Sequence, residues 1–193
     1  MMYELPVTIK AKEVVYAIRN RGDYRMVLDC FNALNDFELS KEERIVACLA
    51  IFLEDIKDIS QVYELPDLDI ICKEMMLFFN CGQEEHGKKQ SFRLIDWEKD
   101  ATLICSGINK VAGKEIRAEA YVHWWTFMGY YTAIGDSALS TVVSIRYKQS
   151  KNKKLEKHER EFVQDNPQYF NWDRRTVEQR EEDELIYSMW NKE

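Results

Sequence analysis

The sequence predicts a mainly α protein: a single compact helical domain with a small N-terminal β-hairpin and a helical C-terminal extension. Apolar residues recur at three- and four-residue spacing in successive segments from Tyr24 onward, the period of a helix with one buried face. Gly and Pro number only 7 and 3 among 193 residues, too few for the turns of an all-β architecture. Alternation with a period of two is confined to the N-terminal segment, where Val7 and Ile9 alternate with polar neighbours and Val14, Val15, Tyr16 and Ile18 follow an Ala11-Lys12 link. We therefore expect a helical core with its hairpin over residues 1–150 and a charged helical extension over 151–193.

The elements follow in order. After Arg21-Gly22, Asp23 is placed to cap a first helix that presents Tyr24, Val27, Leu28, Phe31 and Leu34 and ends near Asn35. Ser40-Lys41-Glu42-Glu43 reads as a capping box opening a second helix with Ile45, Leu49, Phe52, Leu53 and Ile56 on one side. Pro66 and Asp67 open a third, with Ile71, Met75, Phe78 and Phe79 in register and Gly82 suited to a left-handed cap. Residues 83–91 read as a polar linker, 92–95 as a short extended piece, and Asp96 as the start of a fourth helix that carries Ile104, Cys105 and Ile108 and stops at Gly113. Residues 117–134 leave hardly any polar face and predict the central helix. A sixth helix follows Gly135-Asp136-Ser137 and runs to about Tyr147; a lysine-rich helix then ends at Pro167, and a last one starts at Thr176.

Composition excludes several function classes. Hydrophobic residues at 46% and aromatic residues at 12% exclude a disordered chain. A formal charge of −7, with a sequence pI near 5.2, repels nucleic acid. No apolar run approaches the roughly 18 residues of a membrane span, and the opening MMYELPVTIKAKE lacks the order of a signal peptide, so a soluble cytoplasmic protein is expected. The five cysteines at 30, 48, 72, 81 and 105 form no C-x-x-C pair and read as buried reduced thiols.

No residue pattern carries recognisable chemistry. Cys81 with His86 lacks the second ligand pair that zinc requires. Gly107 and Gly113 lie inside and after a helix, not in a phosphate-cradling loop. His86, His123 and His158 have no nucleophile context, so no metal, cofactor or catalytic residue is expected and the chain reads as a non-enzyme. Glu115, Glu119 and His123 fall at i, i+4 and i+8 of the predicted central helix and read as its polar edge. The adjacent indoles of His123-Trp124-Trp125 point about 100 degrees apart and must meet different neighbours, as in a core helix wedged between layers. Lys151, Lys153, Lys154 and Lys157 interleave with acids and read as a solvated face. Tyr169, Phe170, Trp172, Tyr187 and Trp190 lie in a charged segment unable to build its own core; they either dock on the main domain or meet a partner. With Trp125 they are the candidate partner-binding residues.

Several strings carry a resemblance: ALND with the following LS and acids at 33–43, FFNCG at 78–82, DWEKDA at 96–101, VHWWTF at 122–127, IRYK at 145–148 and LEKHERE at 155–161. Their order and spacing resemble the gene-product-fifteen family of tailed phages and prophages of Gram-positive bacteria, over roughly residues 3–165. The resemblance implies a tail assembly chaperone, acting in the host cytoplasm, that coats the tape measure protein and brings major tail (tube) protein subunits to it. It implies no catalytic residues. Residues beyond about 165 depart from the family pattern, and such a tail would select the partner if the front part is shared. Self-association suits a protein that coats a rod, whereas neither nucleic acid nor membrane is an expected partner. Two other readings compete: a structural tail component, connector or completion protein, retained in the virion; and an enzyme with a site around Glu119, His123 and the tryptophans.

Overall fold

The computed structural model describes residues 4–84, 93–171 and 180–181. The predicted helix start at Thr176 and His86 lie outside them. The chain divides into two compact units, Met1–Gly87 with Glu119–Gly129, and Lys88–Ala118 with Tyr130–Glu193. It is mainly helical with an N-terminal hairpin, the fold class read from the sequence.

The first unit opens with that hairpin. Strands β1 (Thr8–Ala11) and β2 (Val14–Ala17) pair antiparallel from Thr8 opposite Ala17 to Ala11 opposite Val14. Lys12 turns the chain at φ 52, and its ammonium binds the Asp67 carboxylate, tying the turn to the start of helix α3 (Leu68–Phe79). β1 packs against α3 and buries Ile9 and Ala11, while Val14 and Val15 at the tip stay exposed. Asn20, Arg21 and Gly22 all have positive φ and swing the chain into helix α1 (Tyr24–Leu34). At Gly22 a Cβ would stand 2.8 Å from the Phe78 ring, so that position admits only glycine. The Asp23 carboxylate accepts from the Arg25 amide and caps α1 as predicted.

Helix α2 (Lys41–Phe52) starts at the predicted capping box, with Ser40 and Glu43 each accepting the other's backbone amide. It ends four residues before the expected Ile56. Leu53 turns extended and forms an antiparallel bridge with Ile18, and the Arg19 guanidinium takes the carbonyls of Ala50, Ile51, Leu53 and Ile56 at 2.7–3.0 Å. A donor from another segment has replaced the next turn of helix. The 3-10 turn Ile59–Glu64, capped by Asp58, has no counterpart among the predicted elements. α3 buries Ile71, Met75, Phe78 and Phe79, the face read from the sequence.

The central helix is the largest correction. Helix α5 spans Trp124–Thr132, not 117–134. Residues 116–118 form a separate 3-10 turn, and the chain from Glu119 to His123 runs beside α1, with the Tyr24 amide donating to the Val122 carbonyl and an antiparallel bridge between Asp23 and His123. Glu115, Glu119 and His123 therefore share no helical stripe.

In the second unit, helix α4 (Ala101–Ala112) starts five residues later than expected. The Asp96 carboxylate accepts from the Glu98 and Lys99 amides and holds a turn before it; Gly113 ends it at φ 68. Residues 93–96 form no strand. Helix α6 (Ala138–Ser150), capped by Ser137 and Ser140, outruns its predicted end at Tyr147, and helix α7 (Lys157–Asp165) is followed by a 3-10 turn at Pro167–Tyr169. Val142, Ile145 and Phe170 form a core cluster, joined by Leu103, Leu155, Phe162, Val163 and Tyr169. Residues from the lysine-rich stretch onward thus pack within this unit.

Arg146 lies beneath that cluster with no exposed surface and is fully answered. Its Nη1 and Nη2 donate to the two Asp100 carboxylate oxygens at 2.6 and 2.8 Å; Nη1 also donates to the Leu94 carbonyl, Nη2 and Nε both to the Tyr169 carbonyl. All five N–H groups are engaged. The backbone leading to α4, the cap of α4, α6 and the chain at Tyr169 are held by one side chain. Arg146→Met leaves the Asp100 carboxylate buried without its cation, and thermal or denaturant unfolding is expected to show a loss of about 3–5 kcal/mol.

Candidate partner-binding surface

The aromatic string at 123–125 and the FFNCG string meet in the first unit. α3 ends in a Schellman arrangement: the Gly82 amide donates to the Leu77 carbonyl and the Cys81 amide to the Phe78 carbonyl, with Cys81 at φ 55 and Gly82 at φ 79. The left-handed cap is thus shared by Cys81 and the predicted Gly82. Carbonyls in the last turn of a helix lack intrahelical donors, and two indoles supply them here: Trp124 Nε1 donates to Phe79 O and Trp125 Nε1 to Phe78 O, each at 2.9 Å.

The two rings then diverge as their spacing requires. Trp124 is 1% exposed and stacks on Phe127, which stacks in turn on Tyr24 at 4.4 Å. Trp125 is half-buried and lies flat against Gly82, where a Cβ would come within 3.1 Å of its ring. Gly82→Ala combines that contact with an unfavourable φ, and its melting temperature is expected to fall by an amount corresponding to about 1–2 kcal/mol.

His123 is buried and caps α5. Its Nδ1 accepts from the Trp125 amide at 3.0 Å, so the proton sits on Nε2, which donates to the Pro6 carbonyl at 2.9 Å. Beside it the Asp23 carboxylate accepts from the Val122 amide and from Arg25, whose guanidinium also donates to the Glu119 carbonyl. Burial lowers the His123 pKa below the usual value near 6.5, against the raising effects of the Pro6 hydrogen bond and Asp23. The neutral ring is the folded form, so the unfolded chain takes up the proton first as pH falls. Stability from this site is full above about pH 6.5 and is lost progressively below it. His123→Asn, which keeps a capping acceptor but does not titrate, is expected to melt lower at pH 8 and to show a flatter melting temperature between pH 6.5 and 5 than the natural chain.

The other sequence-predicted residues fall in different places. Tyr169 is partly buried and its carbonyl is held by Arg146; Phe170 is 7% exposed, with its ring edge-on to Phe162. Trp172, Tyr187 and Trp190 lie outside the described residues. Glu115 is bound by the Arg117 guanidinium and amide and by Asn109, chiefly the Arg117 hydrogen bonds holding its carboxyl down to about 2. The five cysteines are free thiols; the pKa of Cys30 is pushed up by its contact with Cys48 and by burial, and burial raises Cys72, Cys81 and Cys105. Among the described residues no group of three His, Cys, Asp or Glu side chains is placed to hold a metal ion, and no helix is long and apolar enough to cross a membrane.

The candidate contact surface is what this bonding leaves outside. Val15 at the hairpin tip is 59% exposed, Ile59 and Tyr63 on the 3-10 turn 53% and 61%, and Tyr147 on α6 45%. The sequence offered no signal for them, since an isolated apolar residue reads the same whether its helix face is covered or bare.

Fold and site together define the class: a helical protein whose conspicuous aromatic and charged strings fasten its own backbone. The chain matches the family described as Bacteriophage Gp15 protein over residues 1–171, and it belongs to that family. Its function in coarse terms is a part in phage structure or assembly. No curated protein and no solved structure matches it.

Proposed function

We propose that this protein is a tail assembly chaperone without catalytic activity, which binds the tape measure protein in the host cytoplasm and helps recruit tail tube subunits. Family membership over 171 of 193 residues is the observation that carries this reading. A tape measure protein is a long helical rod with apolar stripes, which aggregates unless covered. Large side chains left exposed at several separate places suit weak contacts repeated along such a rod, so that incoming subunits displace the chaperone progressively. Residues 172–193, with Trp172, Tyr187 and Trp190, lie beyond the family match and are proposed to choose the partner.

Co-expression with the tape measure protein, followed by pull-down and a copy count, tests the proposal. The expected result is several copies per rod and none in finished particles. Retention in particles would instead make this a structural tail component, and no binding would remove the tape measure as partner. A chain ending at Asn171 is expected to keep its melting temperature and to lose most of its rod binding.

A further inference from the structure

The two units carry opposite charge. The first holds 18 acidic against 9 basic residues, whereas the second, counted as far as Asn171, holds 14 basic against 9 acidic. The basic excess is concentrated in the connection from α6 to α7, where Lys151, Lys153 and Lys154 are all exposed. The acids interleaved with them are committed elsewhere. Glu159 accepts from Lys148 at 2.6 Å and from the Glu156 amide; Glu156 caps α7; Glu161 faces Lys157 at 3.7 Å. Lys151 and Lys154 face no carboxylate among the described residues, and the Lys153 ammonium lies 5.4 Å from the centre of the exposed Tyr147 ring. The result is a cationic ledge with an aromatic side chain on it.

The first unit carries a counterpart. Residues 54–69 contain Glu54, Asp55, Asp58, Glu64, Asp67 and Asp69 against the single base Lys57. Within this stretch Ile59 and Tyr63 are among the most exposed large apolar side chains of the protein, and Asp55, Glu64 and Asp69 are exposed beside them in sequence. Large apolar side chains framed by charges of one sign mark a protein contact surface.

We propose that these surfaces are the two halves of one contact between copies of this chain, the ledge of Tyr147, Lys151, Lys153 and Lys154 seating on Ile59, Tyr63 and the neighbouring acids of the next copy. Carboxylate clusters are the complement the lysines need, and every copy supplies them at the same concentration. Duplex DNA would have to approach past a unit whose net charge is −9. Because the two halves are different surfaces, the contact is heterologous and each copy added leaves one ledge and one acidic stretch free, so growth is head-to-tail. The inference stands independently of which rod the protein covers.

Sedimentation velocity of the full chain over a concentration series tests it. Species larger than the monomer are expected to grow with concentration at low salt and to dissociate at about 0.5 M salt, where screening shortens the range of charge interactions to roughly 4 Å. Two triple variants, K151S/K153S/K154S and D55N/E64Q/D69N, each remove one half. Each alone is expected to associate at least about tenfold more weakly, while an equal mixture forms dimers that do not grow. Unchanged melting temperatures confirm that both variants fold. A natural chain that stays monomeric at low salt overturns the proposal, as does a variant that associates like the natural chain or a mixture that does not pair. Capture of duplex DNA through the same lysines, without self-association, overturns it in favour of a nucleic-acid surface.

Discussion

A carbonyl at the end of a buried helix must find a donor, and this protein answers that demand with long side chains sent from elsewhere in the sequence. The end of α2 is met by the Arg19 guanidinium, the end of α3 by the indoles of Trp124 and Trp125. In the second unit the isolated carbonyls of Leu94 and Tyr169 are met by Arg146. Each donor lies dozens of residues from most of the groups it serves. The helices can therefore be short, and the chain can turn sharply after them, without leaving polar groups stranded in the interior.

That mode of construction decides what the sequence discloses. Local features were legible because their chemistry is local: the Asp23 cap, the Ser40–Glu43 box, the buried face of α3, the hairpin and the left-handed glycines at 82 and 113. The ends set by distant donors were not. α2 stops at Phe52 because Ile18 and Arg19 take over its last carbonyls, and nothing in the helix itself records this. The start of α5 moved from 117 to 124 because residues 119–123 are drawn alongside α1 by Asp23, Arg25 and Tyr24. Periodicity alone reads their alanines and aromatics as more helix. Buried charges were hidden for a related reason. Arg44, Asp100, Arg146 and Glu159 look like a solvated face until the partner that neutralises or caps each of them is known.

The strings that carry the family resemblance turn out to be mutual partners. FFNCG supplies the carbonyls and the glycine bed that the tryptophans of VHWWTF occupy. DWEKDA supplies Asp100 to Arg146 of IRYK, and the lysine of IRYK closes on Glu159 of LEKHERE. A string recognisable by its oddity is here a fastening, in which an unusual residue is required because its mate is unusual too. The candidate contact residues are ordinary ones, Val15, Ile59, Tyr63 and Tyr147, distinguished only by what fails to cover them.

The Arg146 network also bears on where partner choice resides. Replacing a buried ion pair by apolar side chains is often neutral or stabilising, so stability alone gives little reason to retain one. Position gives a better reason. The guanidinium joins Leu94, Asp100 and Tyr169, and Phe170 is fixed next to it in the apolar cluster. The backbone therefore reaches Asn171, where the family match ends, at a place set by a geometrically demanding bond rather than by interchangeable apolar packing. A segment that differs in sequence can be joined there without disturbing the helices before it, which is the arrangement expected of a shared body that carries partner choice in its C-terminal segment.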